Sequence, residues 1–207
     1  MAKTTKMLNN NENDIGQTTP QDPINVDSYP TAQKLVARTC EFLAGIQNLS
    51  PGKPLEEHLN TKYGPGTPYF DDFSTLLKQG FAEGWVATHE LDRPRFRARK
   101  IMNPCSETLC FSLTAVYFDS IEIIAPKDSR HKHSYGEINC VIPVDEGFEL
   151  EGLPVGEKWQ GAGWTSLAAG THHIPRARGG RGLVYFFLPS GRMVLSGDVE
   201  EEQAGNI

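Results

Sequence analysis

The stretch His131-Lys132-His133-Ser134-Tyr135-Gly136-Glu137, followed by the apolar run 138–144, decides how the chain is read. In an extended strand, residues two apart point to one face, so His131 and His133 present two imidazoles on one side. Gly136 permits a bend. Glu137 then stands at the head of the next strand, where a carboxylate four residues after a histidine can return to the same centre. A second stretch, Ala169-Gly170-Thr171-His172-His173-Ile174-Pro175, places a further histidine after a glycine turn. Three imidazoles and a carboxylate form a mixed nitrogen and oxygen donor set suited to a borderline divalent metal.

Outward from these stretches the chain divides by periodicity. Leu35, Val36, Thr39, Phe42, Leu43, Ile46 and Leu49 recur at helical spacing, with Pro30 suited to the first turn and Ser50-Pro51-Gly52 ending it. Leu55, Leu59 and Tyr63 predict a short second helix. Thr67-Pro68 opens a third, with Phe70, Phe73, Leu76, Leu77 and Phe81 on its buried face. After Gly84 the period becomes two. Arg93, Arg95, Arg97 and Arg99 alternate with other residues. Short strands are then predicted over 111–118, 120–124, 138–144, 164–168 and 183–188, separated by Gly, Pro and Asp turns, a pattern of sandwiches and barrels. The expected organisation is a disordered lead-in over 1–27, a helical region over 28–90 packed on the barrel, a β-barrel over 91–197 and an acidic tail over 198–207.

Composition bounds the function. The 207 residues are 38% hydrophobic and carry a net charge of −6, which argues against a basic face for nucleic acid. No run of apolar residues is long enough to span a membrane, and the polar N-terminus lacks the apolar stretch of an export signal, so a cytoplasmic protein is expected. Cys40, Cys105, Cys110 and Cys140 form no C-x-x-C pair and are read as reduced thiols.

The spacing of His131, His133 and Glu137, with Gly170 and His173 downstream, resembles the two motifs of the cupin superfamily. That resemblance implies a mainly β, cupin-type double-stranded β-helix barrel with an α-helical N-terminal extension, and a metal held inside by His131, His133, Glu137 and His173. Two positions depart from the pattern: Val144 stands where a glycine is usual, and Ala168 where a proline is usual. A narrower likeness joins 95–99, 136–143, 170–175, 179–181 and 188–191. These short motifs are similar to the 4-hydroxylaminobenzoate lyases of bacterial nitrobenzoate degradation, in which Asp is common at the position of Asn139.

The narrower resemblance implies conversion of 4-hydroxylaminobenzoate and water to 3,4-dihydroxybenzoate and ammonia. The equation balances without an external oxidant, and the sequence has no glycine-rich dinucleotide fingerprint, so a divalent ion (Fe, Mn, Ni, Co or Zn) is expected and neither flavin nor nicotinamide. Glu137 is the expected catalytic group, as ligand alone or also as proton shuttle. The substrate's carboxylate calls for a cation, and arginine's planar fork suits it. Arg95, Arg97, Arg99, Arg176, Arg178 and Arg181 are candidates, with Arg97, Arg99 and Arg176 preferred. Tyr135 and Trp164 are candidate aromatic walls for the ring. A cupin dioxygenase or isomerase acting on an aromatic acid, or a non-catalytic carboxylate-binding cupin, remains open on the same residues. A homodimer is expected, because strand edges invite pairing.

Overall fold

The computed structural model describes residues 22–92, 95–125, 130–153 and 156–195. The acidic tail and most of the lead-in lie outside the described residues. Of the lead-in, residues 22–27 are described: a 3-10 turn begins at Val26, and the Ile24 N–H donates to the Lys100 carbonyl.

Three helices precede the strands: α1 (Pro30–Ile46), α2 (Lys53–Lys62) and α3 (Pro68–Glu83). Each carries a proline in its first turn, where a missing N–H costs nothing. α3 ends on Gly84 in the left-handed conformation (φ 81°), whose N–H caps the last carbonyls. The strands are β1 (His89–Asp92), β2 (Phe96–Met102), β3 (Phe111–Ser120), β4 (His131–His133), β5 (Glu137–Pro143), β6 (Glu149–Glu151), β7 (Trp159–Gln160), β8 (Gly163–Leu167), β9 (Thr171–His173), β10 (Ala177–Arg178), β11 (Gly180–Pro189) and β12 (Val194–Leu195). They pair antiparallel in a six-stranded sheet, β1-β2-β3-β11-β5-β8, and two three-stranded sheets, β10-β6-β7 and β12-β4-β9. The result is the expected mainly β barrel with the helices on its outside. The expected strand over 120–124 does not form: β3 ends at Ser120, only Ile124 makes an isolated bridge to Ala177, and Ile121 and Ile123 are exposed.

The six-stranded sheet buries both faces, and the pleat sorts its side chains into two cores. Ile101, Leu113, Ala115, Ile138, Cys140 and Tyr185 face the helices and pack with Leu35, Phe42, Phe73 and Leu77. Their alternates face the small sheets, where Ala98, Val116, Phe118, Val141 and Val184 meet Phe148 and Leu150 of the β6 region. All four cysteines are free thiols. Among the described residues no helix is long and apolar enough to cross a membrane.

One buried charge ties α2 to the barrel. Glu56 accepts the Ser166 N–H at 3.0 Å and pairs with Lys158 and Lys53. Burial pushes its carboxyl up, but Lys158, the Ser166 N–H and Lys53 together hold it below the ordinary carboxylate range. A depressed acid stabilises the fold above its unfolded pKa, and that contribution is lost as pH falls through the lower folded value. Glu56→Gln should therefore cost about 2–4 kcal/mol at pH 7 in urea unfolding, with a smaller gap from the parent at pH 3.5. A gap independent of pH would contradict this role for the charge.

Candidate metal centre

β4 and β9 are neighbours, and their register sets His131 opposite His173. His133 lies two residues along β4, on the same side as His131, and Lys132 between them turns outward. The turn that follows depends on Gly136, which sits at φ 86°. A side chain there would meet the Leu167 carbonyl and Pro51 at 2.6 Å, so the glycine also admits the loop before α2. β5 then begins with Glu137 pointing into the barrel.

Four donor atoms converge. The His133 Nε2 stands 2.9 Å from the Nε2 of His131 and 2.9 Å from that of His173. The Glu137 Oε2 is 3.2 Å from the His133 Nε2 and 3.9 Å from the His173 Nε2. His133 is fully buried, Glu137 and His131 nearly so. His172 is exposed on the other face of β9, as its neighbour's inward orientation requires.

Hydrogen bonding alone does not account for this geometry. One ring nitrogen holds at most one proton, yet the His133 Nε2 faces three acceptor-capable atoms at once. Burial, with the neighbouring imidazoles of His131 and His173, pushes His133 down to about 2. Burial and His131 push His173 down to about 3, so both rings are neutral at pH 7 and offer lone pairs. Burial pushes Glu137 up to about 8, against a single opposing hydrogen bond from Asn139. A cation among these atoms would reverse that penalty. Two nitrogens bound at right angles to one ion at about 2.1 Å stand about 3.0 Å apart, close to the separations seen. The donor set fits a divalent metal.

Supporting groups that the spacing of the motifs did not single out lie just behind. The Asn139 Nδ2 donates to the Glu137 Oε2 (3.2 Å) and to the Thr165 Oγ1 (3.0 Å). The Ser166 hydroxyl donates to the Glu137 carbonyl and receives the Gly52 N–H, linking β5 to the start of α2. Asn139, already marked by the family resemblance, shares the face of Glu137 through the strand period. Ser166 and Glu56 could not have been found from that period, because their meeting is tertiary.

The expected substrate contacts fare differently. Arg97 lies over the rings of Phe81 and Tyr117, on the helix side of the sheet. Arg99 shares that side, against His89 and the Pro23 carbonyl. Phe96 and Ala98 take the inner face, so the pleat turns both arginines away from the histidines. Arg176 is held by Glu151, Arg178 by Glu149 and Arg181 by Asp145, while Arg95 is exposed. Trp164 is buried between sheet and helices, stacked on Phe42 with its indole N–H on the Tyr63 carbonyl. It is a core residue rather than a wall of the site. Tyr135 is 52% exposed on the turn.

A family model described as PnbB: 4-hydroxylaminobenzoate lyase matches residues 37–195. A protein of Nocardioides sp. (strain LMS-CY) named 4-hydroxylaminobenzoate lyase is 42% identical over 163 residues, covering 79% of this chain and 94% of its own. One of the same name from Pseudomonas putida is 42% identical over 166 residues, covering 77% and 93%. Among solved structures, the DMSP lyase DddQ from Ruegeria pomeroyi DSS-3 aligns over 83% of this chain and 99% of its own, at 15% identity and a TM-score of 0.45.

Protein purified without an affinity tag should carry or take up about one divalent ion per chain, and His133→Ala should lower this to under about a tenth by elemental analysis. Equal metal content in parent and variant would remove His133 from the centre.

Proposed function

The chain belongs to the 4-hydroxylaminobenzoate lyase family, and from that membership we propose that it is a metal-dependent enzyme that converts 4-hydroxylaminobenzoate and water to 3,4-dihydroxybenzoate and ammonia. The observation that carries the metal dependence is the convergence of three imidazole nitrogens and one carboxylate oxygen. His131, His133, Glu137 and His173 would hold the ion. When bound, a divalent ion supplies Lewis acidity for N–O cleavage or for activating water.

The reaction is an internal redox exchange. The nitrogen–oxygen bond breaks and its oxygen leaves as water, so nitrogen is reduced. A ring carbon beside the nitrogen gains a hydroxyl from water and is oxidised by the same two electrons. A second water hydrolyses the imine, and ammonia departs. One water is consumed overall, and no external oxidant or reductant enters. Glu137, the acid at the cluster among the described residues, would take the proton of the adding water and return it to the departing group. Asn139 holds the carboxylate's Oε2, which limits its rotation. The neutral rings of His133 and His173 offer lone pairs to the ion rather than protons. The apolar inner wall restricts bulk water near the electron-deficient ring.

Incubation of the metal-loaded protein with 4-hydroxylaminobenzoate under nitrogen should release ammonia and 3,4-dihydroxybenzoate in equal amounts. A strict need for oxygen, or formation of an aminohydroxybenzoate without ammonia, would overturn the reading. Arg97→Ala should leave KM for this substrate within about twofold and lower Tm by a few degrees, because its guanidinium contributes roughly 0.5–1 kcal/mol of stacking per ring. A KM raised tenfold or more would return Arg97 to the binding site.

A further inference from the structure

A single cross-strand row runs over the inner face of the six-stranded sheet. Lys100 on β2 pairs with Thr114 on β3, Thr114 with Phe186 on β11, Phe186 with Asn139 on β5, and Asn139 with Thr165 on β8. Phe186 belongs to the inner core, and Asn139 bonds the inward carboxylate of Glu137, so the row lies on the barrel side. Lys100 follows Phe96 and Ala98 at the two-residue period, whereas Arg97 and Ile101 belong to the helix side. The strand bulges only after Lys100, between Lys100 and Met102, so the inward parity holds up to it.

This position is unusual for a lysine. Among the described residues, ion pairs engage Arg38, Lys53, Lys158, Arg176, Arg178 and Arg181, and none of these involves Lys100. It is half-buried, as is its neighbour Thr114. At the other end of the row, the Asn139 Nδ2 donates to both the Glu137 carboxyl and the Thr165 hydroxyl. Its Oδ1 is left buried with no partner among the described residues. The row thus offers a cation, an aromatic face and an orphaned acceptor in order, leading to the histidine cluster.

We propose that Lys100 receives the carboxylate of the aromatic substrate, with the ring against Phe186 and the hydroxylamino group donating to the Asn139 Oδ1. The proposal rests on the reaction assigned above and supplies the cation that the arginines do not. Three strand spacings separate Lys100 from Asn139, roughly 14 Å along the sheet, and the lysine's four-carbon stem crosses part of it. What remains suits the length of a para-substituted benzoate. The arrangement selects an acid over a neutral arylhydroxylamine, and a para over an ortho acid, because the two ends must be met together.

The test uses the full-length metal-loaded protein and two inert probes, 4-aminobenzoate and aniline, titrated calorimetrically into the parent, Lys100→Met and Lys100→Arg. Loss of a charge-assisted hydrogen bond should weaken 4-aminobenzoate roughly 10- to 100-fold in K100M, with K100R regaining most of it. Aniline should bind parent and K100M alike, which also reports that the variant is folded. Equal affinity of parent and K100M for 4-aminobenzoate, or an equal loss for both probes, would overturn the proposal. Turnover of 4-hydroxylaminobenzoate by the parent is scored separately, so failure of the reaction and failure of the carboxylate contact are told apart.

Discussion

A carboxylate buried beside the neutral imidazoles of His133 and His173 is electrostatically costly, and the rest of the structure is arranged around that cost. Glu137 is held by one amide from within its strand and by backbone bonds from behind, none of which brings a positive charge. Burial alone favours its protonated form. The rings of His133 and His173 beside it are held uncharged by the same burial and by the neighbouring imidazole of His131. One shared cation would satisfy all four groups. Metal affinity would then be joined to the fold, because a bound ion would offset a desolvation cost that the barrel imposes.

The fold meets this constraint through the pleat of one sheet. Along β5, Glu137, Asn139 and Val141 face the barrel while Ile138, Cys140 and Ile142 pack under the helices. Hydrophobic burial on the outer face thus fixes the strand whose inner face carries the chemistry. A one-residue slip would exchange the two sets entirely. The helices add a brace: α2 reaches β8 through Glu56 and Asn60, and β8 lies beside Glu137. This explains why an N-terminal region remote from the histidines in sequence is structurally part of the site.

Much of this was legible in the chain, and its illegible part has a common cause. The spacing of His131 and His133 carried their shared face, and the glycine turn before His173 carried a third ligand candidate. The helices were marked by apolar periodicity, and the first and third also by a proline in the first turn. Alternation along 95–99 was equally visible, but period two defines two faces without saying which is inside. Phe96 and Ala98 could serve either core, and only contact with Phe81, Tyr117 and His89 places Arg97 and Arg99 outward. Trp164 was ambiguous for the same reason: it stands one residue from the inward Thr165, and its partners Phe42 and Tyr63 come from helices about a hundred residues away. The run 120–124 had strand-forming residues and found no ladder to join. In each case tertiary pairing, which local pattern does not encode, decided the outcome.

The central claim is that side chains from β4, β5 and β9 bind one ion together. X-ray absorption at the metal edge of zinc-loaded protein measures this directly. The account predicts scattering from three imidazoles and at least one oxygen, at about 2.0–2.2 Å. A spectrum with fewer than two imidazoles, or with sulfur in the first shell, would contradict it.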